Sequence, residues 1–312
     1  MLWLCLNFPD LPINIFSIDR TIENPIAIIG PSNTIIAINK KCQSLGIKNG
    51  MSLSAAYAIS NLIEVKHRNK HKEAKKLEEI AISLFQYSSQ ISISLPSSVL
   101  IEIGASIALF RSTQHLIDQI KKTIIKLGLD AQTAVSPTPT AAIWLALQKT
   151  NAEVLTLDDL PQYINPLSIS NIEYKNISNI EPSDVGIKTI GQLACVPRSA
   201  VTQRWGSGVL DQLDRAFGRK PDPHPLFILP HRFNTEISLN LPASSVTEIL
   251  FGINRIMQIM ANYLQVKQRG VIEFELSITN EENFSHNFTF KLSVPSRDPK
   301  HLTSLAQDRL NR

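Results

Sequence analysis

Cysteine is scarce in this 312-residue chain, and the three present, Cys5, Cys42 and Cys195, are odd in number and far apart. No C-x-x-C pair occurs, so neither a disulfide framework nor a zinc ribbon is on offer, and a reducing cytosol is expected. The thiols then serve as small buried hydrophobes. No run approaches the roughly 20 apolar residues of a membrane span. The opening residues are apolar but carry no basic n-region, and Asn7, Pro9 and Asp10 interrupt them, which argues against a signal peptide. A cytoplasmic protein that enters no membrane is expected. Glycine-rich phosphate loops of Walker or Rossmann type are missing. His67 and His71 share i,i+4 spacing but lack a Glu or a third ligand, so no zinc site is expected. Ser97 and Ser98 lack a recognisable base and orienting acid, which leaves a hydrolase unsupported.

What is present is an ordinary globular mixture. The chain is 43% hydrophobic and 19% charged, enough apolar material for a packed core. Its length suggests two to three domains at roughly 100–200 residues each. A net charge of +4 leans basic without by itself implying nucleic acid.

Patterning divides the chain. Leu2–Phe8 reads as a buried strand closed by Pro9, and Pro25–Gly30 and Thr34–Ile38 as two strands around a turn. Helices are expected over Asn39–Leu45, stopped by Gly46, and from Ser52 to about Asn61. Lys66–Tyr87 has helical spacing in its second half, with Leu77, Ile80, Ala81, Leu84 and Phe85 on one face. Its basic start, Lys66–Lys76, reads as a solvated helix beginning diluted by Glu73, Glu78 and Glu79. A hairpin (Ile91–Leu95, Val99–Ile103), a helix (Thr113–Leu127), a strand (Ala131–Val135) and a helix (Pro139–Gln148) follow. Strands alternating with helices mark an α/β or α+β core.

After Asn151 the texture becomes helical, with pieces around Ile187–Ala194, Arg198–Trp205 and Val209–Phe217. Pro221-Asp222-Pro223-His224-Pro225 reads as a stiff, extended spacer. The remainder reads strand (Thr235–Leu241), long helix (Ser245–Gln265), strands (Val271–Thr279, His286–Val294) and helix (Asp298–Leu310). A βαββα order usually returns a final strand, so truncation at the C-terminus is an expectation.

Three segments together resemble the Y-family translesion DNA polymerases. Lys41-Cys42-Gln43-Ser44-Leu45-Gly46-Ile47-Lys48-Asn49-Gly50-Met51 is similar to the fingers phrase A-R-x-x-G-V-x-x-G-M. Ala134-Val135-Ser136-Pro137-Thr138-Pro139-Thr140-Ala141-Ala142 is similar to the strand-to-helix phrase I-S-x-N-K-x-x-A-K. Ile187-Lys188-Thr189-Ile190-Gly191-Gln192-Leu193-Ala194 is similar to the thumb phrase G-I-x-T-I-G-D-L-A. Within that family the chain most resembles the ImuB branch, a polymerase-like subunit of bacterial mutasomes. The features are Leu2-Trp3-Leu4 with Phe8-Pro9-Asp10-Leu11-Pro12, Leu100-Ile101-Glu102-Ile103-Gly104 with Leu109-Phe110, and above all the run Asp211–Pro223.

The resemblance implies an α+β, right-hand fold. Its palm would take residues 1–21 and 76–160, inserted fingers 22–75, a helical thumb 161–220, a tether 221–231 and an incomplete α+β little finger 232–312. Active members hold two Mg²⁺ ions on carboxylates from neighbouring strands. Here Leu6 and Asn7 stand where the first aspartate lies, and Ser97 and Ser98 where the paired Asp-Glu lies. The fingers arginine aligns with Gln43, and the phosphate lysine with Thr138 or Pro139. Synthesis is therefore expected to be lost, with no cofactor, or Mg²⁺ in the alternative of a divergent active polymerase. Asp10 is expected in a turn or helix cap, and Glu102 as structural partner of a nearby base.

What remains is DNA binding. Gly186 and Lys188, with Arg198 and Arg204 one helix later, read as phosphate contacts in the thumb, and Arg232, Lys267 and Arg269 as clamps of the little finger. The resemblance further implies primer–template or damaged DNA, an error-prone replicative-type polymerase, a RecA-like ImuA subunit and the sliding clamp as partners. No convincing clamp-binding pentapeptide precedes residue 312.

Overall fold

The computed structural model describes residues 1–16, 24–172, 180–237, 239, 245–280, 282 and 284–311. The elements run β1 (Trp3–Asn7), α1 (Leu11–Asn14), β2 (Ile26–Ile29), β3 (Ile35–Ile38), α2 (Lys40–Ser44), α3 (Leu53–Ile59), β4 (Glu64–His67) and α4 (Lys70–Leu84). Next come β5 (Ile91–Ser94), β6 (Ser98–Glu102), α5 (Thr113–Lys126), β7 (Gln132–Ser136), α6 (Pro139–Leu147) and α7 (Leu160–Ile164). The series ends with α8 (Ile190–Ala194), α9 (Arg198–Trp205), α10 (Ser207–Ala216), α11 (Val246–Val266), β8 (Val271–Thr279), β9 (Ser285–Ser296) and α12 (Pro299–Leu310). They form two compact units, one of Met1–Pro12 with Arg68–Phe227, the other of Ile13–His67 with Ile228–Arg312.

In the first unit β1 lies inside a four-stranded sheet of order β5-β6-β1-β7, antiparallel to both neighbours. All five of its residues are buried, which explains an unbroken apolar run where a half-exposed strand would alternate. Trp3 and Cys5 join Ala141, Leu145 and Trp144 of α6 in a core that continues through α7 to Leu193, Val201 and Trp205 of the helical part. Asn7 closes the strand, and a turn over Pro9 and Asp10 follows, the amide of Leu11 donating to the carbonyl of Phe8 at 3.1 Å.

Glu102 ends β6 and is only 3% exposed. Its Oε1 accepts from the amides of Leu2 and Gly104, each at 3.0 Å, and its Oε2 from that of Ala105 at 3.2 Å. The expected structural role thus falls to backbone N–H groups and not to a basic side chain. Gly104 is needed here, because a Cβ would stand 2.8 Å from Glu102 Oε1 and 3.1 Å from Leu2 N.

The basic segment also differs from expectation. Lys66 and His67 end β4, pairing in parallel with β2, so the helix begins only at Lys70. Arg68 grips Glu73 through Nε and Nη2 at 2.9 and 2.8 Å, and Lys76, 8% exposed, holds Glu79 at 2.7 Å. Half of what reads as a solvated basic face is therefore strand or buried ion pair.

In the second unit the sheet order is β3-β2-β4. Its residues alternate between two cores: Ala27 and Ile29 face Cys42, Ile47, Ala56 and Ile63, while Ile26 and Ile28 face Ile13 and Ala37. Asn39 and Ser52 cap α2 and α3 by accepting from the amides of Cys42 and Ala55. The C-terminal part pairs β8 with β9 antiparallel, stacks Phe274 on Phe290 at 4.7 Å, and packs α11 beside α12. The strand expected over Thr235–Leu241 is not found at residues 235–237 or 239; Ser238, Asn240 and Leu241 lie outside the described residues.

Removing the Glu102 carboxylate leaves the amides of Leu2 and Ala105 without an acceptor and that of Gly104 with only the Leu2 carbonyl at 3.3 Å. Glu102→Ala should destabilise the first unit by about 3–5 kcal/mol, and Glu102→Gln by roughly half as much. Urea unfolding followed by tryptophan fluorescence checks this, because all three tryptophans, Trp3, Trp144 and Trp205, sit in that unit.

Candidate functional site

Strand pairing brings Asn7 opposite Ser98 on one side and Gln132 on the other. Asn7 Oδ1 accepts from the hydroxyls of Ser97 at 2.9 Å and Ser98 at 3.2 Å, and its Nδ2 donates to Gln132 Oε1 at 3.4 Å. Asn7 and Ser98 are each 3% exposed. Cys5, two residues earlier along β1, shares a hydrogen bond with Ser98; burial pushes its thiol up to about 12, so it is a neutral S–H at physiological pH. The cluster is uncharged throughout, and its lone pairs and protons are spent on one another.

A pair of divalent cations needs anionic oxygens, and amide and hydroxyl groups at these positions do not supply the charge. The residues present do not fit the metal pair of a nucleotidyl transferase. Among the described residues no group of three or more His, Cys, Asp or Glu side chains converges on a common point. Glu102 lies four residues along β6 from Ser98, roughly 13 Å at the rise of a strand, and is committed to its amides. Leu6, which the resemblance also aligns with the first aspartate, is fully buried.

Thr138 and Gln43 are used elsewhere. Thr138 precedes α6 and donates its hydroxyl to the carbonyl of Ala216 at 2.8 Å, joining β7 to the end of α10. Gln43 is exposed on α2 in the second unit.

The helical part presents its candidates on two kinds of footing. Gly186 adopts φ +81° after a 3₁₀ turn, and Lys188, exposed, leads into α8 with its amide held by Gln192 Oε1 at 2.8 Å. Arg204 is exposed at the end of α9 and has a partner. Arg198 is anchored: its Nη1 and Nη2 hold both oxygens of Asp214 at 2.9 and 2.6 Å. Asp214, 3% exposed, also draws Arg219 and Lys220 to within 3.8 and 3.9 Å. The hydrogen bond from Arg198 outweighs burial and holds the Asp214 carboxyl below its ordinary range. Arg198 therefore spends its fork on Asp214, although its side chain is 57% exposed.

In the C-terminal part Arg232 and Arg269 are exposed, and Lys267 caps α11 with its ammonium 5.7 Å from the Tyr263 ring. The outer face of the β8–β9 ribbon is not basic: Glu273 pairs with Lys291 at 3.7 Å, and Ser277 bonds Asn287 at 2.7 Å.

A family model described as IMS, the impB/mucB/samB family, matches residues 17–146. Over the full length the chain superposes on solved polymerases. One is a Dbh ternary complex with partially disordered substrates, at 15% identity and TM-score 0.58, covering 100% of this chain and 93% of that one. Others are a post-insertion binary complex of Dbh DNA polymerase (16%, 0.58) and a DinB family error-prone DNA polymerase from Sulfolobus solfataricus (16%, 0.55), with the same coverage. The fold is that of a Y-family DNA polymerase. No protein with a curated description matches.

Sequence reading missed Gln132, Cys5 and Asp214. The first two follow only from the β1–β7 and β1–β6 registers, and the third from two helices running past one another. No local motif signals any of them.

The Arg198–Asp214 pair carries a pH signature. A carboxyl depressed by folding stabilises the folded state above its ordinary value of 3.8, and that contribution vanishes as pH falls through the depressed value. Arg198→Met should therefore unfold at lower denaturant than wild type at neutral pH, with the gap closing below pH 3.8 in a pH series of melting curves.

Proposed function

We propose that this protein is a non-catalytic, DNA-binding accessory subunit of translesion synthesis, of the ImuB type. It grips primer–template DNA in a polymerase-shaped cleft and recruits a separate error-prone replicative-type polymerase. A RecA-like ImuA subunit and the sliding clamp complete the set of partners that the resemblance implies. The observation that supports this reading is the neutral Asn7–Ser97–Ser98–Gln132 cluster, whose Asn7, Ser97 and Ser98 the resemblance aligns with metal-binding carboxylates.

The loss is large in energetic terms. Metal-bound charge at the transferring phosphoryl group supplies several kcal/mol of transition-state stabilisation, and each ~1.4 kcal/mol is tenfold in rate. A hydrogen-bonded Asn–Ser cluster has no counterpart for that charge. Grip is different, since phosphates are held by scattered cations and helix amides that do not depend on the palm. Lys188, Arg204, Arg232, Lys267 and Arg269 keep exposed or half-exposed heads.

Primer extension with Mg²⁺ and with Mn²⁺ should give no template-directed incorporation above background; clear incorporation overturns the reading in favour of a divergent active polymerase. Primer–template affinity measured across a salt series should fall linearly in log–log form. Lys188→Ala and Arg269→Ala should each flatten the slope by ~0.9, whereas Arg198→Met should change it least. Wild-type binding that ignores salt would remove the DNA-grip half of the proposal.

The converse experiment restores charge. The triple variant Asn7→Asp, Ser97→Asp, Ser98→Glu should raise its melting temperature on addition of millimolar Mn²⁺, because the ions offset three crowded carboxylates. The wild-type melting temperature should not move.

A further inference from the structure

The proline-dense tether is expected to be a stiff, extended spacer, yet much of it is fastened to the first unit. Gly218, at φ +71°, leaves α10 in a position where a Cβ would stand 2.6 Å from Leu157. The amides of Arg219 and Lys220 both donate to the carbonyl of Asp214, at 2.7 and 3.2 Å. Asp222 turns inward, its side chain 5% exposed. Its Oδ2 accepts from the amide of Thr140 at 2.8 Å, so a tether residue caps the first turn of α6. Its Oδ1 is buried, 3.3 Å from His224 Nε2. Five residues on, the amide of Phe227 donates to the carbonyl of Ile91 at 2.7 Å, and the Phe227 ring lies 6.0 Å from that of Phe85.

Fastening resumes soon after, to a different body. The Tyr263 hydroxyl of α11 is shared between the carbonyls of Pro230 and His231, at 2.8 and 2.9 Å, and its ring meets Phe233 at 5.4 Å. Between the two sets of anchors stand Ile228, 81% exposed, and Leu229. Neither makes a hydrogen bond among the described residues, and the boundary between the two compact units falls at Phe227–Ile228.

We propose that the pivot along this tether is the dipeptide Ile228–Leu229, and that the Asp222–Thr140 bond is the latch that keeps Pro221–Phe227 on the first unit. Latched, the C-terminal part turns about two residues. Unlatched, Pro221–Phe227 joins the pivot and extends its reach by on the order of 20 Å at the ~3.1 Å per residue of a proline-rich strand. The latch holds charge against burial: burial would raise the Asp222 carboxyl, but the bonds from His224 and from the Thr140 amide outweigh it and hold the carboxyl low. This inference is independent of whether the protein binds DNA.

Amide hydrogen exchange on the whole chain tests it. In the wild type, Phe227 should be protected at least tenfold over Ile228 and Leu229. In Asp222→Ala that protection should fall at least tenfold, while Leu213 in the middle of α10 is unchanged, which separates unlatching from global unfolding. A second readout uses spin labels at Lys122→Cys and His301→Cys in a Cys195→Ser background. Asp222→Ala should broaden the distance distribution, and Ile228→Pro with Leu229→Pro should narrow it. The proposal is overturned if Ile228 and Leu229 are as protected as Phe227, or if Asp222→Ala leaves both the Phe227 protection and the distribution width unchanged.

Discussion

Everything chemical about this protein turns on the two hydroxyls that donate to Asn7 Oδ1. The sheet closes the end of β1 with polar side chains, where the turn over Pro9 and Asp10 leaves the core. Carboxylates there repel one another and need cations to coexist, whereas an amide between two hydroxyls needs nothing. The strand ends here in a self-satisfied cluster, flanked by a thiol that burial keeps protonated. The cluster makes a neutral hydrogen-bonded plug at the end of the strand. The fold persists because its core, from Trp3 through Trp144 to Trp205, never relied on the polar end of the strand.

The charges that remain divide into those turned inward and those left out. Asp214, Glu73 and Glu102 are all nearly buried, and each is answered, by Arg198, by Arg68 and by three backbone amides respectively. An unpaired charge at any of these places would cost several kcal/mol. The cations left near solvent, Lys188, Arg232 and Arg269 among them, are exposed. A net charge of +4 is thus a weak guide on its own. Which cations are spoken for matters more than how many there are.

Much of this architecture was legible in the sequence. Buried strands show as unbroken apolar runs (Trp3–Asn7, Ile26–Ile29), and amphipathic helices such as Thr113–Lys126 show their period. Helix starts at Asn39 and Ser52 are marked by residues that accept a hydrogen bond two or three positions on. Asn7, Ser97 and Ser98 could be named from the resemblance, but their convergence needed the β1–β6 register. The rest depends on contacts distant in sequence. Gln132 meets Asn7 across 125 positions, Arg198 finds Asp214 across two helices, and Asp222 reaches Thr140 over 82 positions. Proline content correctly marked Pro221–Pro225 as non-helical but could not reveal that a carboxylate within it folds inward. The run Lys66–Lys76 misled for a related reason: composition records charge, and only packing shows where it is cancelled.

The bond from Phe227 to Ile91 has a bearing beyond the tether itself. β5 is an edge strand of the four-stranded sheet, and Ile91 is its first residue, so a carbonyl on that open margin is occupied by the protein's own backbone. Uncovered margins of this kind template pairing with other chains. A segment that looks like mere spacing therefore also covers part of a sheet edge with its own backbone.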